Sequence, residues 1–462
     1  MRASAELIQT PRHRYPRPIA LIAAALITVA VSYGAIALRS EPTPPPLEAQ
    51  VPVPAPAAAG DAGGAVDLDR IGDAIATWTA NLERDPADFI AAVNLSGLYL
   101  TRASLTASAD DYDRALAAVD QALETDASVL GARIMRARVL FGSHDFDGAA
   151  QAATDLLDDD AARPAALAIL GDARLELGDY AGAAEAYDDI VGPASAPLLA
   201  RQARLASLTG SLEDARTIAV DASTMAEADP ATSAADRSFY HLLVGALAFQ
   251  AGDLDDSMTA YRAALEVLPG SPQALAGLGR ALAAAGDHEA AITSLEEAVA
   301  IRPEPESLAL LGDLLATVGR TAEAETRHDQ VRGIAAIERS AGSVSRPIVL
   351  FLADRGEEPD VAVALAEAEL AVRSDVHGLD AYAWSLYAAD RHAEADAAMA
   401  RARAHGTEDP LLDYHAGMIA AALGRTEEAA SLLHAALEPA PALGPLQAAR
   451  ARDALAALEA RP

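Results

Sequence analysis

The feature that most constrains this chain is a unit of about 34 residues that recurs along it, most completely from Ser271 to Glu304. Leu275, Leu278 and Leu282 stand at i, i+3 and i+7 on one face of a first helix that ends at Gly286. A second apolar face with Ala291, Ile292, Leu295, Ala298 and Val299 runs on to Pro303. This spacing predicts two helices joined by a tight turn. Gly279, Ala291 and Ala298 fall where the helices must cross, because a bulky side chain there would push them apart.

The same step is found on either side. Start positions of the second helix are expected at Tyr112, Phe146, Tyr180, Leu212, Leu254, His288, Thr321, Val361, His392 and Thr426. A small residue follows three positions later each time, from Ala115 through Ser257 and Ala364 to Ala429. Ten hairpins follow. The long intervals around Ala222 to Arg237 and Arg332 to Arg346 predict longer second helices and loops, and the register is loosest in the eighth repeat. Asp67 to Asp85 reads as an opening helix and Leu443 to Leu458 as an amphipathic closing helix over the last hairpin.

Leu275, Leu278, Gly279, Leu282, Ala291, Leu295, Ala298 and Pro303 resemble the tetratricopeptide repeat (TPR) signature. The resemblance covers roughly Val66 to Leu458 and implies an all-α, right-handed superhelical solenoid of about ten hairpins plus capping helices over 66–462. It further implies a binding platform without catalysis, with first helices lining the concave face. Carried over residue by residue, the positions flanking the small crossing residue are Arg138, Asp172, Arg204, Arg280 and Asp313. Phe239, Leu242 and Phe249 join them from the fifth repeat, and Trp384, Tyr387, Tyr414 and Met418 from the last two. The expected partner contacts are therefore Arg138, Arg204, Phe249, Arg280, Trp384 and Tyr387, since arginine and aromatic side chains anchor bound peptides. The competing reading makes the Arg and Asp series structural ion pairs and the aromatics core.

Composition narrows function by exclusion. The formal net charge is -33, which argues against nucleic acid and anionic lipid as partners and leaves an unidentified protein. There is no Cys, hence no disulfide or thiolate metal site, and no Lys to complete a phosphate-binding loop. With no Lys and only Asn81 and Asn94, the Lys and Asn clamp for a chaperone's acidic C-terminus is also disfavoured. His288-Glu289 begins a zinc-protease pattern, but Ile292 stands where the second His is needed. Asp158 to Asp160 and Asp253 to Asp256 lack the closing acid of a calcium loop. No cofactor and no metal are expected.

The N-terminal region has its own pattern. Residues 1–18 are basic, and Ile19 to Leu38 is an uncharged run of 20 residues, long enough for one bilayer core. It reads as a membrane anchor with the N-terminus inside, or as a signal segment cleaved after Ala35-Ile36-Ala37. Residues 39–65 form a Pro- and Ala-rich linker. Together these place the solenoid outside the cytoplasmic membrane, as an envelope scaffold of bacterial type or, alternatively, a ligand-binding or sensory module.

Overall fold

The structure, a computed structural model, describes residues 68–106, 108–341, 345–438 and 442–460. Among them are 22 α-helices and no strand. Helix α1 (Leu68–Arg84) opens the array. Ten hairpins follow: α2 (Phe89–Thr106) with α3 (Ala109–Thr125), α4 (Leu130–Gly142) with α5 (Phe146–Thr154), and α6 (Arg163–Glu176) with α7 (Tyr180–Asp188). Next come α8 (Ala196–Leu208) with α9 (Leu212–Ala228), α10 (Ala234–Gln250) with α11 (Leu254–Val267), and α12 (Pro272–Ala284) with α13 (His288–Ile301). The last four are α14 (Pro305–Thr317) with α15 (Thr321–Ala341), α16 (Arg346–Arg355) with α17 (Pro359–Leu370), α18 (Val376–Ala388) with α19 (His392–Ala402), and α20 (Pro410–Ala422) with α21 (Thr426–Leu437). Helix α22 (Pro445–Glu459) closes the chain.

The turns explain why eight of the ten second helices start where the sequence places them. In all eight a residue in the left-handed region stops the first helix, and in three of them the aspartate after it caps the second, as in Gly178-Asp179 and Gly286-Asp287. Asp179 accepts from the Gly182 N–H at 3.0 Å and Asp287 from the Ala290 N–H at 3.3 Å. The crossing points are as tight as the pattern requires. A Cβ on Gly279 would lie 2.7 Å from Leu295 Cγ, and one on Gly171 would lie 2.3 Å from the Tyr187 ring.

Two registers differ. Helix α3 begins three residues before Tyr112, because Ser108 caps it by accepting from the Asp111 N–H. Helix α17 begins at Pro359, two residues before Val361, since proline is at home in a first helical turn. The small crossing residue of the eighth hairpin is accordingly Ala362, fully buried, while Ala364 is exposed. The longer second helices are present as α9, with 17 residues, and α15, with 21.

One feature of the tertiary structure has no local signal. Ser374 Oγ donates to the Leu177 carbonyl at 2.8 Å, the Val376 N–H to the Tyr180 hydroxyl at 2.9 Å, and Thr407 Oγ1 to the Leu208 carbonyl at 2.6 Å. These pairs are separated by 197, 196 and 199 residues, a nearly constant offset of about six 34-residue units. The solenoid therefore completes a turn, and the loops of hairpins 8 to 10 stack on the turns of hairpins 3 to 5. Gly178 and Gly210 make the approach possible. Both have positive φ, and a Cβ on them would lie 2.6 Å and 2.7 Å from the backbone oxygens of Ser374 and Gly406. Leu175, Tyr180, Leu208, Val376 and Leu412 form the apolar part of this seam.

The expected placement as a single-pass membrane protein requires correction. Among the described residues no helix is long and apolar enough to cross a membrane. The basic segment 1–18, the run Ile19 to Leu38 and the linker 39–65 lie outside the described residues.

Candidate partner-binding surface

At glycine crossings such as Gly171, Gly279 and Gly312 the small residue faces the second helix. The residue that follows the small one is charged in five hairpins: Arg138, Asp172, Arg204, Arg280 and Asp313, one from each of α4, α6, α8, α12 and α14. Four of the five find partners within the chain. Asp172 accepts from the Tyr187 hydroxyl at 2.8 Å and from both Nε and a terminal nitrogen of Arg201 at 2.9 Å. Arg204 donates to Glu176 at 2.5 Å. Arg280 pairs with Glu306, and its guanidinium lies 5.8 Å from the centre of the Phe249 ring, which is only 8% exposed. Asp313 is held by Arg355 and by His328 Nε2 at 3.2 Å. The structural ion-pair reading thus accounts for these four.

Arg138 is different. It is 7% exposed and, among the described residues, has neither a hydrogen bond nor an ion pair. Burial pushes its guanidinium down to about 10, and the neighbouring Arg201 adds repulsion.

Glu176 shows the opposite electrostatics. Burial raises its carboxyl, but Arg204, Arg373 and Arg346 outweigh that and hold it at about 2. Arg373 comes from the second turn of the solenoid and approaches Glu176 to 2.7 Å, so the ionic network ties the two turns together. Arg346 continues it to Glu369 at 2.9 Å and Asp375 at 2.8 Å. Sequence reasoning missed Arg201, Arg346 and Arg373. Arg201 is one helical turn from the expected Arg204, and the other two have no nearby pattern that points to their partners.

The aromatic residues of the last hairpins lie beneath the chain's own closing helix. Trp384 is 2% exposed, stacks on Tyr387 with ring centres 4.5 Å apart, and donates its Nε1–H to Asp354 at 3.0 Å. The other carboxylate oxygen of Asp354 accepts from Gln447 of α22 at 2.6 Å, and Arg450 donates to the Asp354 carbonyl. Ala448, Ala451 and Leu458 of α22 share one core with Trp384 and Tyr414. Helix α22 packs on α20 and α21 and also reaches back to α14, so it runs across hairpins 8 to 10. By contrast, the first helices of hairpins 1 to 6 carry no comparable packing from a distant described helix, although Leu175 of α6 and Leu208 of α8 meet Val376 and Leu412 at the seam.

Nothing in the described residues gathers a metal site: no group of three or more His, Asp or Glu could hold an ion. Asp253 instead pairs with Arg216 at 2.5 Å, and Asp159 accepts from the Ala161 N–H at 3.0 Å. A cleft of about 370 Å³ opens between α7, α8 and α9, lined by Tyr187, Leu205, Thr209 and Ile218.

The family model described as tetratricopeptide repeat matches residues 64–126, 134–200 and 245–305. The matched stretches, which fall on hairpins 1 to 3 and on most of hairpins 5 and 6, therefore carry tetratricopeptide repeats. No curated protein matches it. Among solved structures, PilW, a type IV pilus biogenesis factor, is 18% identical, with 45% of this chain and 93% of that one covered and a TM-score of 0.39. YrrB, a TPR protein with an unusual peptide-binding site, is 19% identical, with 49% and 93% covered and a TM-score of 0.23. A monomeric IFIT1 mutant with Gppp-AAAA is 12% identical, with 68% and 71% covered and a TM-score of 0.45. At these scores the likenesses carry no functional conclusion.

Proposed function

We propose that these tetratricopeptide repeats form a protein-interaction scaffold, and that the inner wall of its first turn takes an extended segment of a partner protein. The observation that carries this reading is the contrast between the two halves of the wall. Over hairpins 8 to 10, α22 packs on the aromatic residues of the first helices, whereas hairpins 1 to 6 carry no comparable packing from a distant described helix beyond the seam at hairpins 3 and 4. A buried charged residue without a partner stands in the uncovered half, and the paired ones around it form a stiff frame. The net charge of -33 supports a protein partner over a nucleic acid.

Mechanism here is binding. First helices fixed by tight crossings hold their inner residues in place, so a partner segment loses freedom while the wall loses little. The test is affinity capture with the full chain against Leu242→Glu, a half-buried residue expected to line this wall, and Val220→Glu, exposed on the second helix α9. Loss of a bound protein with the first variant alone supports the reading. Equal retention by both overturns it.

A further inference from the structure

We infer that Arg138 is an anion-binding residue that receives a carboxylate of the bound segment, an inference that rests on the inner-wall reading above. Of the five charged residues that follow a small crossing residue, it alone lacks a partner in the described chain. The shortage is not one of acids, since the sequence holds 68 Asp and Glu against 35 basic residues.

Burying a guanidinium without a counter-charge is costly, and a buried cation is normally paired. Nearby, Asp172 is already engaged by Arg201 and Tyr187, so it has little capacity for a second guanidinium. The two arginines and one aspartate leave a local excess of one positive charge in a strongly acidic protein. Arg138 nevertheless keeps some solvent access. Its unpaired nitrogens are not among the fully enclosed unpaired atoms, in contrast to Nε of Arg237. A cation that is mostly desolvated, held on a rigid helix and reachable from one side matches the planar, two-oxygen geometry of a carboxylate. Two sources share this chemistry: an acidic side chain, and the C-terminal carboxylate of the segment.

The experiment uses the full chain labelled with ¹⁵N-arginine, its Arg138 Nε–H signal identified by absence from Arg138→Gln. It is titrated separately with acetyl-Ala-Glu-Ala-amide, acetyl-Ala-Ala-Ala with a free carboxylate, and acetyl-Ala-Gln-Ala-amide. A saturable shift with a carboxylate peptide and none with the Gln peptide supports the site. A response to only one of the first two names the source. Arg138→Lys keeps the charge but loses the fork, and its carboxylate affinity, followed through the remaining arginine signals, is expected to fall by about tenfold or more. No saturable shift, or the same shift with all three peptides, overturns the inference. The two readings fail separately. Undiminished partner capture by Arg138→Gln, with its fold confirmed by circular dichroism, removes the anion site and leaves the scaffold. A peptide response without any protein captured does the reverse.

Discussion

Replacing Gly171 by alanine tests whether the crossings set the geometry of the inner wall. A Cβ at this position would lie 2.3 Å from Cε1, 2.7 Å from Cδ1 and 2.9 Å from Cζ of Tyr187. The ring cannot swing aside freely, because Tyr187 is 2% exposed and its hydroxyl donates to Asp172, which in turn holds Arg201. Overpacking of this kind costs about 1–3 kcal/mol, and breaking the Tyr187 hydrogen bond adds about 1. Alanine recovers about 1 kcal/mol of helix propensity. The net expectation is a loss of about 1–3 kcal/mol, felt first in α6 and α7, since solenoid stability is a sum of unit and neighbour terms. Gly97→Ala is the control: its Cβ would meet only the terminal carbon of Met135, at 3.4 Å, so it should be neutral or gain up to about 1 kcal/mol. Urea unfolding followed by circular dichroism gives the totals, and hydrogen exchange resolved by peptide shows where protection is lost. Gly171→Ala as stable as Gly97→Ala, with unchanged exchange in α6 and α7, would refute the reasoning.

Three further outcomes are expected. Ala362→Leu should cost about 1–3 kcal/mol by overpacking, while Ala364→Leu, on the exposed face, should stay within about 0.5; the reverse order in thermal unfolding would restore the register read from the sequence. Arg373→Ala leaves the buried Glu176 with one fewer cation, a loss of about 3–5 kcal/mol for a broken buried pair. Exchange at the Val376 amide, which donates to Tyr180 across the seam, should accelerate, and an unchanged rate would contradict a seam held by charge. Burial pushes the Glu338 carboxyl up to about 7 from 4.5. The folded chain therefore holds this proton where the unfolded chain has released it, and the stability that this provides falls as pH rises from about 4.5 to 7. Glu338→Gln should raise the unfolding temperature at pH 8 more than at pH 5, and an equal effect at both would disprove the assignment.

Most of the fold was legible because hairpin geometry is local. Glycine and aspartate at Gly178-Asp179 and Gly286-Asp287 mark the turn and the cap, and small residues such as Gly171 and Gly279 mark the crossings. The eighth register slipped because Pro359 starts its helix two residues early, a signal that outweighs the spacing pattern. The inner wall was legible as positions but not as partners. Arg204 and Arg280 were expected to face a ligand, yet Glu176 lies one turn along a neighbouring helix and Glu306 in the next hairpin, within easy reach. For Trp384 and Tyr387 the sequence leaves partner contact and core both open, because nothing in the pattern of α22 says that it turns back over them. The seam was invisible for the same reason: its bonds join residues almost 200 positions apart, far beyond any local period.

The most direct test of the scaffold account places a photoreactive benzoylphenylalanine at residue 242 of the full chain, on the first helix α10, and separately at residue 220 on α9. Each is irradiated in a lysate of the source organism, and the adducts are mapped by mass spectrometry. The account predicts a discrete adduct from position 242, formed through one continuous segment of one protein, and none from position 220. An adduct from position 220 alone, or the same proteins from both, would contradict binding on the inner wall.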